Sequence, residues 1–406
     1  MWELVKIDLL NVASFAGSQP HDQFAWLRAN DPVHRHEEPN GSGFWAITRF
    51  DDVKAIGRDA ETFSSRPTIM IADPDPQRTA EAGDHVMMLM TDPPLHTRMR
   101  RLISRDFTPR AVSALVPRLQ QLAAQIVDEV IERGTADLVS DLAGEMPSFV
   151  IAEMLGIPLA DGRDLYYATE ALHSSTEAVG IEAQQAAYMR MFTYSQKVFA
   201  DKRANPADDL ASLLANGAID ERPIDELDFF LWFLLLIDAG GDTTRNLVGG
   251  GMHALFAHPE QLTLLRSHTD QVLPTAVDEL LRWVSPVIHM RRTTTRDTVL
   301  HGKVISEGDK VVMYYGAANR DLACVQDPDR FDVIRTVNPH VAFGGGGPHF
   351  CLGSHLARLE ITALLREIVT RMPDLEPAGD AKWMQSNFIF GPTTLPVSFT
   401  PAKRSR

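Results

Sequence analysis

The sequence predicts a mainly α chain carrying small β sheets at one side. Three observations predict it. Long segments repeat apolar residues at helical spacing, as from Val112 to Glu132 and from Leu262 to Trp283. Strand-like segments are few and short. No linker or low-complexity tract divides the chain.

In chain order, Gly43 to Thr48 reads as a short strand near the N-terminus. From Arg66 to Pro94 the chain is rich in Pro, Asp and Met, which suits a mobile covering loop as well as a plain surface loop. The Val112–Glu132 helix is expected to end at Arg133-Gly134, a C-cap signal. Within Leu262–Trp283, Pro274 is expected to break or start a helix. Residues Val299 to Tyr315 read as β, with Ser306–Asp309 as the turn of a hairpin between Val304-Ile305 and Val311–Met313. A last β segment is expected around Phe388–Phe390 and Leu395–Phe399.

The chain has 406 residues, 44% of them hydrophobic, enough to bury a large core. Only two cysteines occur, Cys324 and Cys351, which excludes a disulfide framework and a Cys-rich zinc or iron–sulfur site. A reducing compartment is expected. The start, Met1 to Asp8, lacks the basic and apolar pattern of a signal peptide. The longest apolar run, Phe229 to Ile237, is far shorter than the roughly 20 residues of a membrane span. A cytoplasmic location without a membrane span is the expectation. The net charge of −15 argues against nucleic-acid binding. A local basic cluster stands against it: Arg98, Arg100, Arg101, Arg105 and Arg110.

Chemistry concentrates in the run from Phe343 to Gly353. Four glycines, Pro348 and His349 lead into Cys351. Glycine lets backbone pass close to a flat ligand. Apolar residues at helical spacing follow, from Leu352 to Ile368, so the cysteine lies where a loop becomes a helix N-terminus. The helix dipole and free N–H groups there stabilise a thiolate, a suitable iron ligand. A second constellation is Ala239-Gly240-Gly241-Asp242-Thr243-Thr244. Two glycines inside a helix cost about 1 kcal/mol each and imply a close approach to something. The acid and hydroxyl beside them offer a proton source and a hydrogen-bond donor.

The pattern Phe-x-x-Gly-x-x-His-x-Cys-x-Gly resembles the haem-binding loop of the cytochrome P450 family, the haem-thiolate monooxygenases. The resemblance implies one domain over residues 1–406, a triangular prism around haem b. It implies Cys351 as the iron ligand, with Phe343, Gly344 and Gly353 in the haem loop. Ala239 and Gly240 would leave room above the haem, Thr243 would donate a hydrogen bond to dioxygen, and Asp242 would relay protons. His96 and Arg100, four residues apart on one face, resemble a propionate-binding pair. Arg292 would meet the other propionate, with Arg291 as the alternative register, and His349 is a further candidate. Glu279, Arg282 and Arg330 would form a buried charge network that fixes the cysteine loop.

The implied reaction inserts one oxygen atom from O2 into a lipophilic molecule, with a terpenoid, sterol or branched lipid suspected. Candidate pocket residues are Ile237, Thr244, Val287, Ile288 and Phe390, beside Ala239 and the Met-rich loop. The chain has no Rossmann fingerprint, flavin domain or ferredoxin cysteines. It therefore needs electrons from NAD(P)H through a ferredoxin and ferredoxin reductase, and Arg98 to Arg110 is the expected docking patch. A peroxide-dependent peroxygenase and a haem-based sensor are the alternatives. The Asp242-Thr243 pair disfavours the first, and the lack of a signalling domain disfavours the second.

Overall fold

The organising element is a 32-residue helix, Glu226–Ala257. A computed structural model describes the chain over residues 6–173 and 179–405. Asp225 caps the long helix by accepting hydrogen bonds from the Leu227 and Asp228 N–H groups. The helix is apolar nearly all round, as a helix enclosed by others must be. It packs against the helices Glu145–Leu155, Leu159–His173, Ile181–Ala204, Thr269–Val284 and Ser354–Arg371. Phe229, Phe230 and Phe233 are fully buried on it, each contributing about 1.5–3 kcal/mol. Gly250 and Gly251 permit the close crossing of Thr269–Val284. A Cβ on Gly250 would lie 2.9 Å from Val284, and one on Gly251 would lie 3.1 Å from Leu280.

A five-stranded sheet flanks this helical core in the order Val33–His36, Phe44–Ile47, Lys310–Tyr314, His289–Thr294, Phe63–Ser64. Lys310–Tyr314 is buried along its length. It pairs parallel to Phe44–Ile47 and antiparallel to His289–Thr294. The mainly α class with small sheets is therefore what the structure has.

Several local expectations are corrected. Val304-Ile305 does not form a hairpin with Val311–Met313. It pairs with Thr298–Leu300 around a turn at His301-Gly302, both at positive φ, while the next strand enters the large sheet. Pro274 lies inside the helix Thr269–Val284, and the break falls earlier, at His268. Burial of Val272, Leu273, Ala276 and Val277 holds that helix together across the missing N–H. The Val112–Glu132 segment divides into Pro109–Ala114 and Val116–Val130, with Pro117 in the first turn of the second helix. Phe388–Phe390 contributes only a bridge from Ile389 to Val287. The C-terminal strands are Pro392–Thr394 and Pro396–Ser398.

The Met-rich segment contains the helix Pro76–Ala82 and a turn at Met88–Met90. It is fastened at two points. Asp73 receives Arg291 at 2.6 Å and Lys310 at 2.8 Å. His85 meets Asp228 of the long helix at 2.9 Å. Among the described residues no single helix is long and apolar enough to cross a membrane.

Candidate active site

Cys351 precedes the helix Ser354–Arg371 by three residues. Its N–H donates to Phe343 O at 3.0 Å, closing the glycine run into a loop. The glycines answer to packing as much as to a ligand. A Cβ on Gly345 would lie 2.4 Å from Val53 O, and one on Gly347 would lie 2.3 Å from Gly57 O, both on the helix Phe50–Arg58. The thiol is exposed, and it borders a cavity of about 270 Å³. That exposure is to the cavity rather than to the outer surface, so the surrounding protein still desolvates the thiolate and pushes the thiol pKa up, while the Gly353 N–H, Arg100 and Arg358 pull it toward the thiolate.

The long helix forms another wall. Leu235, Leu236, Ala239, Gly240, Thr243 and Thr244 line the cavity. A Cβ on Gly240 would meet nothing closer than Ile151 at 3.8 Å, so that glycine leaves open space. Gly241 has a different task, because a Cβ there would lie 2.8 Å from the Tyr166 ring. The Thr243 hydroxyl donates to Ala239 O at 2.9 Å. Asp242 does not line the cavity. It is buried, accepts a hydrogen bond from Thr169 at 3.0 Å, and lies 3.5 Å from Arg245.

Cationic and imidazole groups gather at one side of the cavity. Arg292 lines it and is buried, donating to Arg291 O at 2.8 Å. Arg291 belongs to the opposite face of the strand and pairs with Asp73. Arg100 donates to Pro348 O at 3.1 Å. Among the described residues neither Arg100 nor Arg292 has a carboxylate at ion-pair distance. His96 and His349 stack with ring centroids 4.1 Å apart, and His349 meets Ser65 Oγ at 3.0 Å. Burial lowers His349 to about 2 and His96 to about 4. The buried His96 Nδ1 has no hydrogen-bond partner. Buried cations and an orphaned imidazole nitrogen are costly unless an anion satisfies them. A flat iron-binding ligand carrying two carboxylates fits this set, and the Cys351 sulfur at the cavity edge could bind the metal.

The cytochrome P450 family profile matches residues 9–393. The chain belongs to the cytochrome P450 family. As a cytochrome P450 it is a monooxygenase of the haem-thiolate type, with protoporphyrin IX as cofactor. A methyl-branched lipid omega-hydroxylase of Mycobacterium tuberculosis is 38% identical, over 93% of this chain and 90% of that one. A steroid C26-monooxygenase of Rhodococcus jostii is 35% identical, over 96% and 83%. A Mycobacterium marinum cytochrome P450 solved with pseudoionone superposes with a TM-score of 0.90 at 35% identity, covering 98% of this chain and 99% of that one.

In this P450 the sequence-derived site residues divide. Phe343, Gly344, His349, Gly353, His96, Arg100, Arg292, Thr244 and Val287 border the cavity beside Cys351. Ile237, Ile288 and Phe390 do not. Ile237 and Ile288 are turned into the core, and Phe390 stacks on Trp383 at 5.1 Å. Ile237 stands at the edge of the helix face that forms the wall, three residues before Gly240, and packing turns it into the core. The charge network is also corrected. Arg282 grips both oxygens of Glu279 at 2.8 Å. Arg330 gives only its backbone carbonyl to Arg282, and its exposed side chain leans to Asp332. The second arginine on Glu279 is Arg335, at 3.3 Å.

Sequence reasoning missed other members. Asn319 accepts from the Val341 N–H at 2.7 Å while its carbonyl accepts from Arg282, which ties the buried pair to the cysteine loop. Glu360 sits on the cavity wall one helical face from Leu356, and burial pushes its carboxyl up to about 8. A carboxyl inside the apolar pattern after Cys351 was the available signal.

Proposed function

We propose that this cytochrome P450 inserts one oxygen atom from dioxygen into a C–H bond of a lipophilic molecule of the branched-lipid or sterol class. The single observation that carries this reading is the juxtaposition of Cys351 with an apolar cavity roofed by Met88, Leu89, Leu236, Val287 and Met290. An apolar wall with few polar groups selects lipophilic ligands. The names of two relatives, for methyl-branched lipids and for steroids, support the same class.

When bound, haem supplies the oxidising chemistry, with the thiolate donating electron density to the metal. The residues of the chain do the rest. Arg100 and Arg292 would neutralise its carboxylates, and the uncharged His96 and His349 could hold them by N–H hydrogen bonds. Thr243 keeps a hydroxyl proton on the wall, parked on Ala239 O, from where rotation presents it to the cavity. Asp242 backs the helix at this point through Thr169 and Arg245. Glu360 remains protonated at neutral pH and forms a second proton-bearing group on the wall.

Electrons come from NAD(P)H through a separate ferredoxin and its reductase, in the cytoplasm. Arg101, Arg105 and Arg110 are exposed and form the docking cations. Arg98 is engaged by Asp220 at 2.8 Å and Arg100 belongs to the cavity. An acidic carrier would be steered to such a patch, with a rate that falls as salt rises. Spectral titration with branched fatty acids, sterols and small polar compounds tests the substrate class. Shifts of the Soret band with the first two and none with the third are expected. Turnover that runs with peroxide but not with dioxygen and carriers would overturn the electron route.

A further inference from the structure

A second cavity, of about 530 Å³, adjoins the first. Leu115, Leu119, Leu210 and Leu213 form its body, and Arg118 and Glu153 stand at its charged rim. The two cavities share two side chains, Val150 and Met154. These stand four residues apart on the helix Glu145–Leu155, hence on one face. Their side chains form the partition between the cavities.

The two differ in stiffness. Val150 is β-branched and nearly locked at χ1 within a helix. Met154 has three rotatable bonds and fills space adaptably. Glu153, beside it, is held by Arg118 Nε at 2.9 and 3.1 Å from its two oxygens, which fastens this end of the helix to Val116–Val130. The backbone is thus anchored, while the half-buried Met154 side chain has the rotatable bonds to change shape in place. An opening made by a single methionine admits something small. The Arg118–Glu153 pair at the rim opposes entry of a large lipophilic body, which would have to strip water from both charges. A diatomic gas carries no such penalty.

We propose that the second cavity is an entry route for small uncharged diatomic ligands, dioxygen among them, and that Met154 is its gate. The proposal rests on haem occupying the first cavity. Flash photolysis of the reduced holoprotein bound to carbon monoxide tests it, through the concentration-dependent phase of rebinding. Leu213→Trp and Ala207→Trp fill the second cavity without entering the first, and Met154→Trp blocks the gate. All three are expected to slow that phase several-fold, and Met154→Ala to speed it. Lipophilic-ligand affinity in the two plugged variants is expected to stay at the parental value. Parental rebinding rates in both plugged variants overturn the proposal, whatever Met154→Trp does, because slowing by Met154→Trp alone reflects crowding of the first cavity. A holoprotein that forms no thiolate-type carbon monoxide adduct would instead sink the haem reading itself.

Discussion

Arg335 sets its guanidinium Nε 3.3 Å from Glu279 Oε2, on a carboxylate that is fully buried. Arg282 holds the same carboxylate from within its own helix. The Asp332 N–H and the Asn338 side chain donate to it as well, at 2.9 and 3.0 Å. Removing one member of a buried charged cluster leaves the others uncompensated, at a cost on the order of 3 kcal/mol. Arg335→Ala and Glu279→Gln are therefore expected to lose most haem-loaded protein, and Arg330→Ala to keep it. Soret absorbance per unit of purified protein reads the difference. Equal loss in the Arg330 and Arg335 variants would count against the assignment.

Arg292 and Arg291 offer a paired comparison. Arg292 borders the cavity, whereas Arg291 pairs with Asp73 outside it. A hydrogen bond to a charged group contributes about 1.5–3 kcal/mol. Arg292→Leu is expected to release haem to apomyoglobin about tenfold or more faster, since about 1.4 kcal/mol is a factor of ten. Arg291→Leu is expected to change the release rate little while loosening the Met-rich segment. Indistinguishable release rates would contradict the propionate role.

The legible part of this site is the part that is continuous in sequence. The loop from Phe343 to Gly353 carries its glycines, histidine and cysteine in one stretch, so Cys351 could be read directly. The second arginine of the Glu279 cluster could not. Arg330 and Arg335 sit five residues apart in irregular chain, and only the tertiary path decides which one turns inward. The pocket residues fall between these cases. Strand alternation puts Met290 and Arg292 on one face with Arg291 on the other, whereas helical spacing leaves Ile237 at the edge of the wall, and only packing turns it into the core. Phe390 was opaque because its loop is ordered by stacking on Trp383, a contact between separate short segments.

Thr243 and Asp242 are neighbours with different surroundings. Thr243→Val removes a hydroxyl from the cavity wall and its bond to Ala239 O, without touching the core. Its expected effect is unchanged haem content and ligand affinity, with a several-fold lower fraction of consumed NADPH appearing as product. Asp242→Asn weakens contacts to Thr169 and Arg245 and is expected to lower the melting temperature as well. Full coupling of electrons to product in Thr243→Val would refute the role given to its hydroxyl.

Glu360 gives a pH signature. Its carboxyl ionises at about 4.3 in an unfolded chain, but burial keeps it protonated up to about 8 in the folded protein. The stabilising contribution of the bound proton is complete below the unfolded value and is lost as pH rises through the folded one. Parental stability should fall with pH across that window for this reason. Glu360→Gln removes the slope, so its melting temperature should gain on the parent steadily from about pH 4.5 to about pH 8. A pH-independent difference between the two proteins would mean that the carboxylate is stabilised in place.

In the proposed function the Cys351 sulfur binds the haem iron as a thiolate. The most direct measurement is the absorbance spectrum of the dithionite-reduced holoprotein under carbon monoxide, for the parent and for Cys351→His. The parent should show the strongly red-shifted Soret band of a thiolate adduct, and the variant a band at the shorter wavelength of nitrogen ligation. A folded, haem-loaded parent whose adduct absorbs where the variant does would contradict the account.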